Sequence, residues 1–245
     1  WESKTETATR VRGRIESVLG WAATSGYRTG ENPARWKGHL ENLLATISKN
    51  SREKHHPSLP WQHVGTFISA LRLRKGVSAR AVEFAILTAC RSGEVRGAKR
   101  AEFDLKRKVW TIPAERMKAK REHITPIIKP IFELLQQLPR QGDLVFSGVK
   151  GGMLSDGTLS SSMKRIHASD TTGYIDSRSK RPAVPHGIRS TFRDWAAETS
   201  QEIEPVELQL AHRIGTSTTK AYNRSERLET RAKVLTEWYN FLNGN

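Results

Sequence analysis

A single cysteine, Cys90, occurs among 245 residues, so no disulfide can form within the chain, and that usage fits a reducing, cytoplasmic setting. No run approaches the roughly 18–20 apolar residues of a membrane span. No secretory signal and no lipidation motif is visible. Acidic residues are also scarce: 25 Asp and Glu face 41 Lys and Arg, for a formal charge of +16. An excess of that size predicts a partner with dense negative charge, nucleic acid before an acidic membrane surface. Two further absences narrow the chemistry. The chain has no closely spaced carboxylates of the two-metal nuclease kind and no P-loop. The pair His55-His56 has no cysteine beside it and too few ligands for zinc, so it reads as part of a solvated linker.

Apolar residues make up 36% of the chain, low but sufficient for a core at this length. Val11, Ile15, Val18, Leu19 and Ala22 mark an amphipathic helix from about Thr7 to Thr24, and "ARWKGHLENLL" reads as a second, shorter one. The polar, proline-broken stretch from Ser48 to Pro60 is the best boundary in the chain. It divides a helical fragment, residues 1–47, from a unit spanning 61–245, with 48–60 as linker. Downstream, Val64, Phe67, Ile68 and Leu71 give one helix and Val82, Ala85, Ile86 and Ala89 the next. "KVWTIP" and "HITPI" are short β-branched runs that predict a small hairpin. Ile131, Leu134, Leu135 and Leu138 restore the helical period. Residues 147–184 read as loops with one helix around Met163 to His167. Val234, Leu235, Trp238, Tyr239 and Leu242 mark the last helix. The fold class is therefore mainly α with a small antiparallel sheet or hairpin.

Four features stand outside this core pattern. Arg91 follows an apolar helix in "LTACRSGEVRG", where an arginine is ordinarily a surface charge or an ion-pair partner of a nearby Glu. Lys118 falls at the tip of the expected hairpin, an ordinary place for a solvated lysine. In "VPHGIRSTFRDWAAE", Pro185 starts a helix whose stripe of Ile188, Phe192, Trp195 and Ala196 faces the core. His186, Arg189 and Arg193 share another face of it, because residues three and four apart are neighbours on a helix. Finally, His212 follows an apolar helix in "LQLAHRIGTSTTKAYNR", and Tyr222 lies ten residues on.

In this order, Arg91, Lys118, His186-x-x-Arg189, His212 and Tyr222 resemble the tyrosine recombinase (phage integrase) family. "TACRSGE" is similar to the box around its first catalytic arginine, "PHGIRSTF" to its His-x-x-Arg box, and "LAH…TKAYNR" to its final histidine and nucleophilic tyrosine. The resemblance spans about residues 60–245. "GENPARWKGHL", "IPAERMKAKREH" and "AYNR" look most like integrases of prophages and genomic islands. Residues 1–47 resemble the C-terminal part of that family's helical core-binding domain.

The resemblance implies an enzyme that cuts and rejoins DNA through a 3′-phosphotyrosine, with no cofactor and no metal. Arg91 and Arg189 would bind the non-bridging oxygens of the scissile phosphate, since guanidinium forks suit charge that grows in a five-coordinate transition state. His186 would serve the tyrosine proton, Lys118 would protonate the leaving oxygen, and His212 would hydrogen-bond the phosphate. Tyr222 would be the nucleophile, with Tyr174 and Tyr239 as competing assignments. Its ten-residue spacing from His212 is one more than is usual in the family, a difference the "RIGTSTT" loop can absorb. Glu94 would orient Arg91, and Cys90 would be buried rather than reactive.

Further phosphate contacts are expected from Lys150, Lys164, and Arg178, Lys180 and Arg181 of the basic run "SRSKR". Arg193 reads as a DNA-backbone or ion-pair residue. Expected partners are double-stranded DNA bearing attachment sites, three further copies in a tetramer on DNA, and an excisionase or host architectural factor. Off DNA the chain is expected as a monomer, at the nucleoid. Two other readings stay open at the level of sequence: a type IB topoisomerase-like nicking-closing enzyme, and a non-catalytic DNA-binding accessory protein.

Overall fold

The helix expected near Thr7 to Thr24 forms at Thr5–Thr24 (α1) in the computed structural model, which describes residues 1, 3–44, 55–170, 173–212 and 226–244. The chain divides into two units, Trp1–His55 and His56–Asn245. In the first, α1 has no buried residue. Arg12 donates to Glu16 within the helix and ties it to the following segment by donating to the Ala34 carbonyl at 2.7 Å, while its guanidinium lies 5.3 Å over the Trp36 ring. "ARWKGHLENLL" does not become the expected α-helix. Gly38 adopts a φ of +72°, outside helical geometry, and the chain continues only as a 3-10 turn at Leu40–Asn42.

The second unit is built around Val77–Thr88 (α3), in which nine of twelve residues are buried. A helix apolar on nearly every side belongs inside a core. Around it pack Val64–Arg72 (α2), Ser92–Arg96 (α4), Lys129–Gln136 (α5), Asp156–Ser169 (α6), Gly187–Glu198 (α7) and Leu228–Leu242 (α9). Ile203–Gln209 (α8) lies against both α7 and α9. The helix expected near Met163 is longer than its sequence suggested, because polar Ser and Lys residues fill its outer face while Leu159, Met163 and Ile166 are buried.

The sheet is antiparallel and, among the described residues, three-stranded: Phe103–Asp104 (β1), Val109–Ile112 (β2) and His123–Pro126 (β3). Trp110 pairs with Thr125 and Ile112 with His123 across the expected hairpin. The short β1, pairing Phe103 with Trp110, left no alternation in the sequence long enough to see.

The stripe on α7 packs as its spacing predicts. Ile188, Phe192, Trp195 and Ala196 are all buried, and Trp195 meets Trp238 of α9 at 4.9 Å between ring centroids. Trp238 in turn donates its indole N–H to the Ile86 carbonyl of α3 at 2.9 Å. The last helix is thus part of this unit's own core.

Candidate active site

The first arginine sits where α3 ends. Ala89 closes that helix in the left-handed conformation with φ +51°, turning the chain so that Arg91 caps α4. Glu94, one turn into α4, is buried and accepts twice from Arg91: from its backbone N–H at 2.7 Å and from Nη1 at 2.9 Å. Glu94 therefore orients the guanidinium as expected. Cys90, between Ala89 and Arg91, is buried; burial first, then the Glu94 carboxylate, pushes its thiol up to about 11.

Arg189 reaches this turn from α7. It is buried, and its fork donates from Nη1 to the Ala89 carbonyl at 2.6 Å and from Nη2 to the Leu210 carbonyl at 2.5 Å. Nη2 also lies 3.2 Å from Nε2 of His212. One guanidinium thereby joins three segments far apart in sequence. Burial, and then the like charge of Arg91, draws Arg189 down to about 10, which leaves it cationic at neutral pH.

His212 is held on its other side by Glu207 of α8, whose Oε2 lies 2.6 Å from Nδ1. Guanidinium nitrogens only donate, so Nε2 accepts from Arg189 and Nδ1 carries the proton towards Glu207. Arg193 does not stand beside Arg189 on an open ridge. Its Nε pairs with Glu207 Oε1 at 2.5 Å, the ion-pair half of its expected role, while Arg189 turns into the protein. Burial works to raise Glu207, but hydrogen bonds from Arg193 and His212 hold it below the usual carboxylate range.

His186 caps the N-terminus of α7 and is exposed. Partial burial, then neighbouring His56, Arg189, Arg91 and Lys118 in that order, bring it down to about 4, so it is neutral at pH 7. Lys118 stands exposed in the turn between β2 and β3, within electrostatic reach of His186. The structure thus brings Arg91, Lys118, His186, Arg189 and His212 to one site.

Tyr222 lies outside the described residues. Its competitors are occupied elsewhere. Tyr174 is buried with its ring edge-on to Phe67, and Tyr239 packs beneath the Arg72 guanidinium, 5.9 Å from its ring. Lys150, Lys164, Arg178, Lys180 and Arg181 are all exposed. The loop carrying the last three is closed by Asp176, whose N–H donates to the Arg181 carbonyl and whose Oδ2 accepts the Ser179 N–H.

Several supporting residues carried no signal in the sequence. Glu207 and Arg231 belong to none of the motifs read in the sequence. Arg231 is fully buried: it donates to Gln209 Oε1 of α8 at 3.0 and 3.1 Å and to the Ile124 carbonyl of β3 at 2.6 Å. Burial draws it down to about 10. Gln209 passes the connection on, donating to the Thr88 carbonyl at 2.7 Å. His56, read as linker, lies 4.3 Å from the His186 ring. Among the described residues no cluster of three or more His, Cys, Asp or Glu is placed to hold a metal, and no helix is long and apolar enough to cross a membrane.

Comparison with known proteins shows which family the chain resembles. Residues 62–229 match the model of the "Phage integrase family", and residues 1–39 match "Phage integrase central domain". The integrase of Enterobacteria phage P4 is 28% identical over 99% of this chain, covering 56% of that protein. Prophage integrase IntZ of Escherichia coli K12 is 31% identical over 95% of this chain, covering 54% of that protein. The chain therefore spans little more than half the length of these curated relatives. Among solved structures, a lambda integrase tetramer bound to a Holliday junction aligns with a TM-score of 0.62 and 18% identity, over 88% of this chain and 61% of that one. An integrase from mycobacterium phage Brujita aligns with a TM-score of 0.54 and 18% identity, over 94% of this chain and 71% of that one.

Proposed function

The chain belongs to the phage integrase family, and from that premise we propose that it is a tyrosine-type site-specific recombinase that integrates or excises a prophage or genomic island. The observation that carries this reading is the convergence of two guanidiniums. Arg91 and Arg189 come from separate segments, each is fixed by its own acceptors, and after burial the charge of Arg91 is what most lowers Arg189. Two like charges held together make a site for a dianionic or developing phosphate charge.

In the proposed reaction the Tyr222 hydroxyl attacks a DNA phosphorus. The P–O bond to the 5′-oxygen breaks, leaving a 3′-phosphotyrosine. Free tyrosine has a pKa of about 10, so only about one in a thousand is ionised at pH 7. Neutral His186 takes the phenolic proton, and Lys118 supplies one to the departing 5′-oxygen. Arg91 and Arg189 hold the non-bridging oxygens, and His212 completes the cradle as Glu207 holds its far nitrogen. Rejoining is the same chemistry reversed with a different 5′-hydroxyl. The phosphotyrosine conserves the energy of the broken bond, so neither ATP nor a divalent metal enters this mechanism.

The proposed partner is duplex DNA carrying attachment sites, bound by the exposed basic residues, with four copies assembling on it and an excisionase or host architectural factor setting direction. That lambda integrase has been seen as a dimer on a core site and as a tetramer on a Holliday junction supports the assembly of several copies on DNA. The accessory-protein reading loses ground because the described site residues stand together rather than scattered.

Covalent trapping tests the proposal. A nicked suicide duplex of the attachment site is expected to give an adduct that survives SDS, to give it equally in EDTA, and to lose it with Tyr222→Phe. Adduct formation by Tyr222→Phe would overturn the nucleophile, and a strict requirement for Mg²⁺ would overturn the mechanism.

A further inference from the structure

The segment His56–Leu59 crosses the N-terminus of α7 as a strap. The Pro57 carbonyl accepts the Val184 N–H at 3.1 Å. Ser58 donates from its backbone N–H and its hydroxyl to Asp176 Oδ1, at 3.3 and 3.1 Å. The Leu59 carbonyl accepts the Thr191 hydroxyl at 2.6 Å, and Pro57 and Leu59 are buried. The strap lies so close that a Cβ on Gly187 would fall 1.9 Å from the Pro57 carbonyl oxygen and 2.8 Å from the Ser58 Cα. Gly187 is the residue after His186. Its lack of a side chain is what admits the strap, and the strap then sets His56 against His186, with ring centroids 4.3 Å apart and planes inclined by 54°.

We propose that His56 is a positioning residue of the catalytic centre: its ring fixes the orientation of His186 and disfavours a proton on it, keeping His186 a proton acceptor. This rests on the reading of His186 as the group that accepts the tyrosine proton. The charged groups facing His186 are Arg189 on its own helix, Arg91 at the α3–α4 turn and Lys118 at the β2–β3 turn. All three are cations with a place in the proposed cradle for phosphate, and each would be drawn towards an arriving phosphate. His56 is the neighbour with no such place. When phosphate neutralises the cations, their opposition to a proton on His186 weakens, whereas a ring packed on His186 remains. After partial burial, His56 is the largest of the influences that lower His186.

The test uses the full-length protein, with His56→Phe and His56→Ala beside wild type. His56→Phe keeps an aromatic face without a titratable nitrogen, and His56→Ala removes both. The first readout is the NMR titration of the His186 ring proton without DNA. The expected result is a midpoint near 4 in wild type and an upward move of about half a pH unit or more in both variants. The second is single-turnover cleavage of the nicked duplex against pH. The acid limb of the rate is expected to rise with the NMR midpoint, most in His56→Ala, while the Kd for DNA does not move. An unmoved His186 midpoint in both variants overturns the proposal whether or not the protein cleaves DNA. Wild type that binds attachment DNA but forms no adduct overturns the recombinase reading instead.

Discussion

Glu207 holds two side chains at once, the Arg193 guanidinium on one oxygen and the His212 ring on the other. A carboxylate so placed fixes the tautomer of the imidazole that meets Arg189. Glu207→Gln keeps the shape but removes the charge that favours an Nδ1 proton. The loss of a charge-assisted hydrogen bond, about 1.5–3 kcal/mol, is expected to slow cleavage about 10- to 100-fold, measured as the single-turnover rate with DNA in excess. At this scale the candidate site was half legible. Arg91, His186, Arg189 and His212 each sit in a short run of recognisable neighbours, so their types and spacing could be read locally. Glu207 and His56 meet His212 and His186 in space, and nothing adjacent in the sequence marks them as their neighbours. The common face of His186, Arg189 and Arg193 was read correctly as helical spacing. It was misleading as a ridge, because a buried carbonyl at Ala89 draws Arg189 inward while a carboxylate draws Arg193 across the surface.

At the level of elements, α9 is secured by a charge in its own buried face. Arg231 serves Gln209 on α8 and Ile124 on β3, so one side chain holds the last helix, the helix before His212 and the strand after the lysine turn. Arg231→Met is expected to leave those acceptors unpaired inside the protein and to cost about 2–4 kcal/mol in urea unfolding. Arg231→Lys should recover less than half of this, since an ammonium cannot span acceptors laid out for a planar fork. Helices with a clean apolar period, such as α2, α7 and α9, were readable from sequence. The stretch from Ala34 to Leu44 has a helical composition but turns at Gly38, where a positive φ overrides propensity. The strap was hidden for a related reason: Pro57 and Ser58 look like linker until Gly187, far along the chain, makes room for them.

For the whole molecule, stability should depend on pH through His123. This imidazole at the start of β3 is buried, and burial first, then the charges of Arg231, Arg189 and Arg91, bring it down to about 3. Its Nε2 has no hydrogen-bond partner among the described residues. The unfolded chain takes up a proton here near pH 6.5 while the folded one does not, so stability is complete above that pH. It falls at up to about 1.4 kcal/mol per pH unit towards pH 3. Urea titrations at pH 4, 5, 6 and 7 are expected to show that slope, and His123→Leu to flatten it. Glu207 adds a loss of the same direction lower down, because its depressed carboxyl contributes stability that disappears only as pH falls through its folded-state value. The excess of 16 positive charges also predicts that DNA affinity drops steeply with added salt, linearly on logarithmic axes; a flat response in a filter-binding series would contradict a phosphate-tracking surface.

Cys90 is enclosed between the carbonyl that receives Arg189 and the arginine held by Glu94, and no other thiol exists in the chain. Its alkylation rate is therefore a clock on the arginine pocket. A reagent can reach it only when that pocket comes apart, so the speed of labelling counts the openings. Bound DNA that clamps both guanidiniums should slow the clock, and the ratio of the two rates reports how tightly the site is gripped without any strand being cut.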